Sequence, residues 1–550
     1  MPGHRNPKPG DTKELRIKGG KIMHSAINPL TKKIFLTIKP PGDGDYLADK
    51  DRIIWWLKKH YSLSPVTFPY ELLPKIYPLC REANWEITIT LAYSDSGWKV
   101  INLEKGDTQN RHYGLAVDLG STTVVIELVD LQTGKVLEKQ SHFNKQITYG
   151  EDILSRIFYA QGSSNALQEI QDSTLATLGE LIRELQKSTG VNKEEIGMTV
   201  ISGNTTMIHF LLGLNPWTVF HYPYAPIVNE TGFLKADIFD LPLNPNSLIY
   251  CMPSVGNYLG GDIVSGILAS GLHRQEEISL FLDIGTNGEV VIGNKDWLLA
   301  GAGAAGPALE GGVVKSGMRA SPGAIERIKI DPKDLHLEMR IIEGGKPKGL
   351  CGSAIADLVA QLFLNRIIDS AGKFIPGSAS RVVTREEQYA FVYAWPGESA
   401  TGDELLLTQI DLNNFLDTKA AAHTMVTYLL GAINLNLAQI EKFYTAGAFG
   451  TYLDLESAIT IGIYPDLPRE KFVSLGNSSL TGARTLLLHR EALAEIKTIQ
   501  ERITYLELGA AEDYLHKMFA ARFLPHTDLD LYPTVKEKLG LKEPLKVNTI

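Results

Sequence analysis

The sequence predicts an α/β protein with mixed sheets, in which a small N-terminal module precedes two larger lobes. Three observations predict it. The chain has 550 residues, more than a single hydrophobic core supports. Strand-like apolar runs alternate with helix-spaced ones along most of its length, the ordering of an α/β fold. One strand–turn–strand pattern also occurs twice, each copy opening a long α/β stretch.

Composition narrows the class. Hydrophobic residues make up 44% and charged residues 21%, the balance of an ordinary soluble protein. The net charge of -9 argues against nucleic acid as the main partner, since phosphate binding needs clustered Lys and Arg. No stretch approaches the roughly 18 apolar residues of a membrane helix, and the first residues lack an apolar signal core. A cytoplasmic protein with no membrane partner is expected. Cys80, Cys251 and Cys351 stand too far apart for a local metal or iron–sulfur motif, so they read as small packed residues.

The elements follow in order. Residues 1–20, rich in Pro, Gly and Lys, read as a flexible tail. Residues 21–107 form the small α/β module, with strands at 33–38 and 85–91 and a helix at 50–59. A polar linker, 106–112, leads into the first lobe, 108–275; the second lobe is 276–550. Helical spacing places helices at 152–160, 175–185, 263–272, 354–366, 420–436 and 510–521.

The repeat carries the chemistry. Leu115–Ile126 and Leu280–Ile292 each read as a hairpin around Asp-x-Gly-[Ser/Thr], with Asp118 and Gly120 in the first copy and Asp283 and Gly285 in the second. Glycine lets the backbone approach a ligand closely. The next amides and hydroxyls can point at phosphate oxygens, and the Asp supplies a hard oxygen for Mg²⁺. One copy alone is weak evidence, because such turns occur in many ordinary hairpins. Two facing copies would grip one polyphosphate from both sides.

Other motifs support this. Val200–Leu212 is a strand, a turn and a helix, in which Asn204 and Thr205 either cap the helix or lie near a terminal phosphate or attacking water. Gly301–Gly306 is a loop of small residues. Gly349–Ser353 opens a helix whose N-terminus, with Gly352 and Ser353, could face a nucleotide. Gly447-Ala448-Phe449-Gly450 reads equally as a tight turn or as a flat adenine platform.

In this order the motifs resemble the phosphate-1, connecting, phosphate-2 and adenosine motifs of the actin, sugar-kinase and heat-shock-chaperone superfamily. Within it the chain resembles the reductive activators of corrinoid proteins, through Tyr149–Ile157, Ala304–Glu310, Gly317–Glu326 and Gly476–Ala483. The resemblance covers roughly residues 22–530. It implies a two-lobed actin-like (ribonuclease H-like) ATPase fold that binds ATP and Mg²⁺. It implies that Asp118 and Asp283 are the Mg²⁺ carboxylates, that Gly120, Ser121, Thr122 and Thr123 hold phosphates from one lobe, and that Gly285, Thr286, Asn287 and Gly288 hold them from the other. Glu289 is implied as a base or water-orienting residue, with a structural salt bridge the alternative.

The implied function is ATP-driven return of an oxidised Co(II) corrinoid protein to Co(I) in a methyltransferase system. Such activators usually carry an iron–sulfur domain, and three scattered cysteines supply no cluster. This leaves a separate electron donor, a fragment of a longer chain, or a remodelling task without electron transfer. The rivals are a small-molecule kinase, with Asp262 as its base or a mere helix cap, and a chaperone-like ATPase. A homodimer is left open.

Overall fold

The structure, a computed structural model, describes residues 26–285, 288–303, 314–508 and 514–541, and of 448 and 449 the backbone only. The tail 1–20, Thr286, Asn287, the Ala304–Glu310 stretch and the side chains of Ala448 and Phe449 lie outside the described residues. The chain packs as two units, Met1–Gly271 with Ser479–Glu501, and Leu272–Ser478 with Arg502–Ile550.

The first unit begins with the small module. Thr31–Thr37, Glu86–Ser94, Gly97–Lys105 and Val66–Thr67 form a four-stranded sheet in that order. Alternation in Glu86-Ile-Thr-Ile-Thr-Leu puts Ile87, Ile89 and Leu91 into a core shared with Ile53 and Leu57 of the helix Asp49–Tyr61. A six-stranded sheet follows, in the order Val136–Phe143, Thr123–Asp130, Tyr113–Leu119, Ile196–Ser202, Leu248–Cys251, Phe233–Lys235. Its first three strands are antiparallel neighbours; Ile196–Ser202 joins Tyr113–Leu119 in parallel.

The second unit repeats this arrangement. Its sheet runs Phe472–Gly476, Lys442–Ala446, Ser279–Ile284, Gly288–Gly293, Leu298–Gly303, Ile503–Tyr505. The hairpin and its third strand are antiparallel, and Lys442–Ala446 joins Ser279–Ile284 in parallel. The sequence repeat is therefore a topological repeat: an antiparallel meander whose first strand takes a parallel partner.

Ser479–Glu501, expected within the second lobe, packs in the first unit. Small residues allow it. A Cβ on Gly482 would lie 2.4 Å from Ser265 O, and Arg484 reaches the buried Glu127 at 2.6 Å. Asn28 exchanges backbone bonds with this stretch, its N donating to Leu488 O at 2.9 Å and its O accepting from Arg490 N at 2.8 Å. Among the described residues, no helix is long and apolar enough to cross a membrane.

Candidate functional site

In the first unit, both hairpin strands end at the turn 120–122. A Cβ on Gly120 would sit 2.4 Å from Thr123 O, so the turn closes only around glycine. The turn is tied down through its carbonyls. Asn144 Nδ2 donates to Gly120 O at 2.9 Å and Asn144 N to Thr122 O at 2.9 Å. Arg156 Nη1 donates to Ser121 O at 2.7 Å, and its Nε to Gly150 O at 2.8 Å. The hydroxyls of Ser121, Thr122 and Thr123, half-buried, are engaged by no hydrogen bond among the described residues. A turn whose carbonyls are occupied and whose hydroxyls are uncommitted fits an anion.

Asp118 stands near the end of its strand, opposite Val125 and Ser202. Ser479 Oγ donates to Asp118 Oδ1 at 2.8 Å. Asn204 caps the helix Thr205–Leu212, its Oδ1 accepting from Met207 N at 2.9 Å. The buried Thr205 hydroxyl donates to Gly256 O at 3.0 Å. Both side chains thus serve the local fold in this structure. Gly260, not Asp262, is the N-cap of the helix Gly261–Ser270. A Cβ on Gly260 would meet Asn204 Cα at 2.4 Å, so this loop presses directly on the Asn204 turn. Asp262 Oδ1 accepts from Ile263 N at 2.9 Å. Burial above all, with the negative charge of Asp118 added, pushes the Asp262 carboxyl up to about 7 against that hydrogen bond. Asp118 and Asp262 therefore share one electrostatic neighbourhood.

In the second unit, Asp283 lies opposite Glu289 across the hairpin and beside Ala446 in the parallel strand. Directly opposed residues share a face, so the two carboxylates are cross-strand neighbours, with Glu289 buried. Gly447 has a φ of 78°, and a Cβ there would lie 2.4 Å from Asp283 Oδ1. Only glycine lets the helix Gly447–Tyr452 start against that carboxylate. Gly450 O accepts from Ser474 Oγ at 2.6 Å. Gly285, by contrast, has nothing within 4 Å of its Cβ position among the described residues, so no described packing demands a glycine there. Gly288 pairs with Ile284 and Gly303. Gly352 and Ser353 begin the helix Gly352–Leu364 as expected, but the Ser353 hydroxyl is used internally, donating to Glu326 O at 2.9 Å.

Sequence reasoning singled out no role for Asn144, Arg156, Ser202, Ser265 or Ser479. For Arg156 a signal was present: a lone Arg in the apolar run Ile-Leu-Ser-Arg-Ile-Phe-Tyr-Ala of the helix Ile153–Ala160, fully buried. All three cysteines are buried and free.

Comparison with known proteins fits this geometry. Residues 22–110 match the RACo linker region, 113–275 the RACo middle region, and 277–536 the C-terminal domain of RACo, the ASKHA domain. A solved structure of a reductive activator for corrinoid, iron–sulfur protein is 39% identical, with a TM-score of 0.86, over 93% of this chain and 82% of that one. The chain belongs to this family. The corrinoid activation enzyme RamQ of Eubacterium limosum is 34% identical over 423 residues, 75% of this chain and 71% of that protein. The [Co(II) methylated amine-specific corrinoid protein] reductase of Methanosarcina barkeri is 25% identical over 438 residues, 73% and 75% of the two chains. The Asp283 hairpin falls in the family's ASKHA domain and the Asp118 hairpin in its middle region. Membership of the ASKHA class carries nucleotide binding with it.

Proposed function

We propose that this chain is an ATP-dependent activator that helps return the inactive Co(II) form of a corrinoid protein to Co(I), with one electron from a separate low-potential donor. The likeness to a reductive activator along the linker, middle and ASKHA regions carries the reading. Asp118 and Asp283 would hold Mg²⁺. Gly120, Ser121, Thr122 and Thr123 would receive phosphate oxygens in the first unit; Gly285, Thr286, Asn287 and Gly288 would do so in the second. Bound Mg²⁺ would neutralise phosphate charge. Glu289, opposite Asp283, would orient water or hold its strand. Gly447 and Gly450 shape the start of a helix suited to an adenosine face, with Ala448 and Phe449 between them. Gly352 supplies a helix start. The module 21–107 and the lobes 108–275 and 276–550 remain our division of the chain by role, with Ser479–Glu501 serving the first lobe.

The test is an anaerobic absorbance titration of this protein with a Co(II) corrinoid protein of the same organism and a low-potential chemical reductant, with and without MgATP. The Co(I) band is expected only with both ATP and this protein, and Asp118→Ala is expected to abolish it. ATP hydrolysis without Co(I) would sink the reductive reading. A phosphotransfer reading rests on Asp262 beside Asp118, a carboxyl able to accept a hydroxyl proton. Phosphorylation of an added sugar or acid, lost in Asp262→Asn, would favour it.

A further inference from the structure

A buried row of hydroxyls leads to Asp118. Ser479 Oγ lies 2.8 Å from Asp118 Oδ1 and 2.9 Å from Ser202 Oγ, and Ser202 Oγ lies 2.8 Å from Ser265 Oγ. The three serines come from three elements. Ser202 ends the strand Ile196–Ser202, Ser265 sits within the helix Gly261–Ser270, and Ser479 lies in the first turn of the helix Ser478–Leu488. They are 0%, 0% and 7% exposed, so water does not supply their hydrogen bonds.

An ionised carboxylate only accepts, and each hydroxyl has one hydrogen to give. Ser479 Oγ is placed to donate to both Asp118 Oδ1 and Ser202 Oγ, and its single hydrogen is committed to the charged acceptor, with Ser202 and Ser265 hydrogen-bonded to each other behind it. A bond to a charged acceptor of this kind is stronger than a neutral one. The placement is tightly built: Gly482, one turn on from Ser479, has its Cβ position 2.4 Å from Ser265 O, which holds the two helices at the spacing the row needs. Ser479 is also the residue at which the chain re-enters the first unit.

We propose that Ser479, backed by Ser202 and Ser265, is the positioning residue of Asp118, fixing the carboxylate orientation in which it serves the magnesium nucleotide. The proposal rests on the reading of Asp118 as a residue of the nucleotide site. Asp118 is a strand-end side chain with two rotatable bonds, and a second carboxyl, Asp262, shares its surroundings. Pinning Oδ1 sets the plane of the carboxylate and leaves the turn 120–122 facing a fixed acceptor.

The test is calorimetric binding of a non-hydrolysable ATP analogue to the whole chain, with and without Mg²⁺. Ser479→Ala is expected to weaken the magnesium complex about tenfold, the loss of one hydrogen bond to a charged group. The metal-free analogue should change by less than about twofold, and Ser479→Thr, which keeps the hydroxyl, should restore binding to within about twofold. In an Asp118→Asn background, Ser479→Ala should add nothing further. Wild-type affinity in Ser479→Ala, while Asp118→Asn loses the magnesium complex, overturns the positioning role and leaves the nucleotide site standing. Wild-type affinity in Asp118→Asn overturns the nucleotide reading itself. If Ser479→Ala does not fold, Ser202→Ala removes only the hydroxyl packed behind Ser479. A magnesium-dependent loss in that variant supports the proposal, and wild-type affinity overturns it.

Discussion

His112 is 4% exposed, with its Nε2 2.7 Å from Thr31 Oγ1 on the first strand of the small module. Burial first, and then the positive charge of Lys33, push its imidazole down to about 3. An unfolded histidine titrates near 6.5. Between those values the unfolded chain binds a proton that the folded one refuses, so this contribution is complete above about pH 6.5 and is lost as pH falls toward 3, by at most about 1.4 kcal/mol per pH unit. Hydrogen exchange in Thr31–Thr37 and Tyr113–Leu119, corrected for intrinsic rate, should therefore show less protection at pH 5.5 than at 7.5. His112→Gln should flatten the difference, and an undiminished pH slope in the variant would remove His112 as its cause. At this scale the sequence was legible where a residue type and its neighbours carry the signal. Asp118 and Asp283 stand one residue before their strands end, Gly120 in the turn that follows and Gly447 at the start of a helix. The serines around Asp118 were not legible, because Ser202, Ser265 and Ser479 meet only through three separate elements.

The helix Ile153–Ala160 acts through one side chain. Arg156 donates to Gly150 O, Ser121 O and Gln146 Oε1, the last at 3.1 Å, and so joins this helix to the turn 120–122. Arg156→Met should leave these acceptors buried and unpaired, at a cost of about 1–3 kcal/mol for each that stays dry. Arg156→Lys should rescue poorly, because one ammonium cannot match the guanidinium fork. The expected readout is a lower thermal midpoint in both variants and weaker nucleotide binding; a Lys variant equal to wild type would refute the fork argument. Element boundaries were harder to read than element type. The helix expected at 420–436 runs from Gln409 to Ala432. Its opening carries Leu412, Phe415 and Leu416 at helical spacing, all buried, flanking Asn413 and Asn414, and Thr408 with Asp411 forms a capping box that marks the true start. Asn434, at a φ of 54°, lies beyond its end. Asp262 looked like a cap because it is an acidic residue at a helix start, yet Gly260 takes that place since only a bare Cα fits against Asn204.

Across the whole molecule, the repeat was readable because each copy builds the same meander with the same parallel partner. The division of the chain was not, since Ser479–Glu501 leaves one unit for the other without any composition shift to mark it. The C-terminal stretch depends on an equally long-range contact within the second unit. Lys419, fully buried, donates from Nζ to Ala521 O at 2.5 Å, Phe523 O at 2.7 Å and Pro525 O. Burial pushes this ammonium well below the usual lysine range, and the three carbonyls supply the acceptors that its three hydrogens need. Nearby, Tyr532 Oη lies 3.1 Å from His423 Nδ1, one helical turn along the same helix. Lys419 therefore closes a loop of chain of about a hundred residues, a connection whose entropy cost rises only slowly with length. Lys419→Met keeps much of the apolar stem but strands three carbonyls, so the segment from Tyr514 onward should detach before the rest of its unit unfolds. Limited proteolysis followed by mass measurement should find new cleavage near Ala521–Pro525 in the variant, while the hairpin strands Ser279–Ile284 and Gly288–Gly293 stay protected. Cleavage at the wild-type rate would mean that apolar packing of Leu524 and Tyr532, both buried, holds the segment without the lysine.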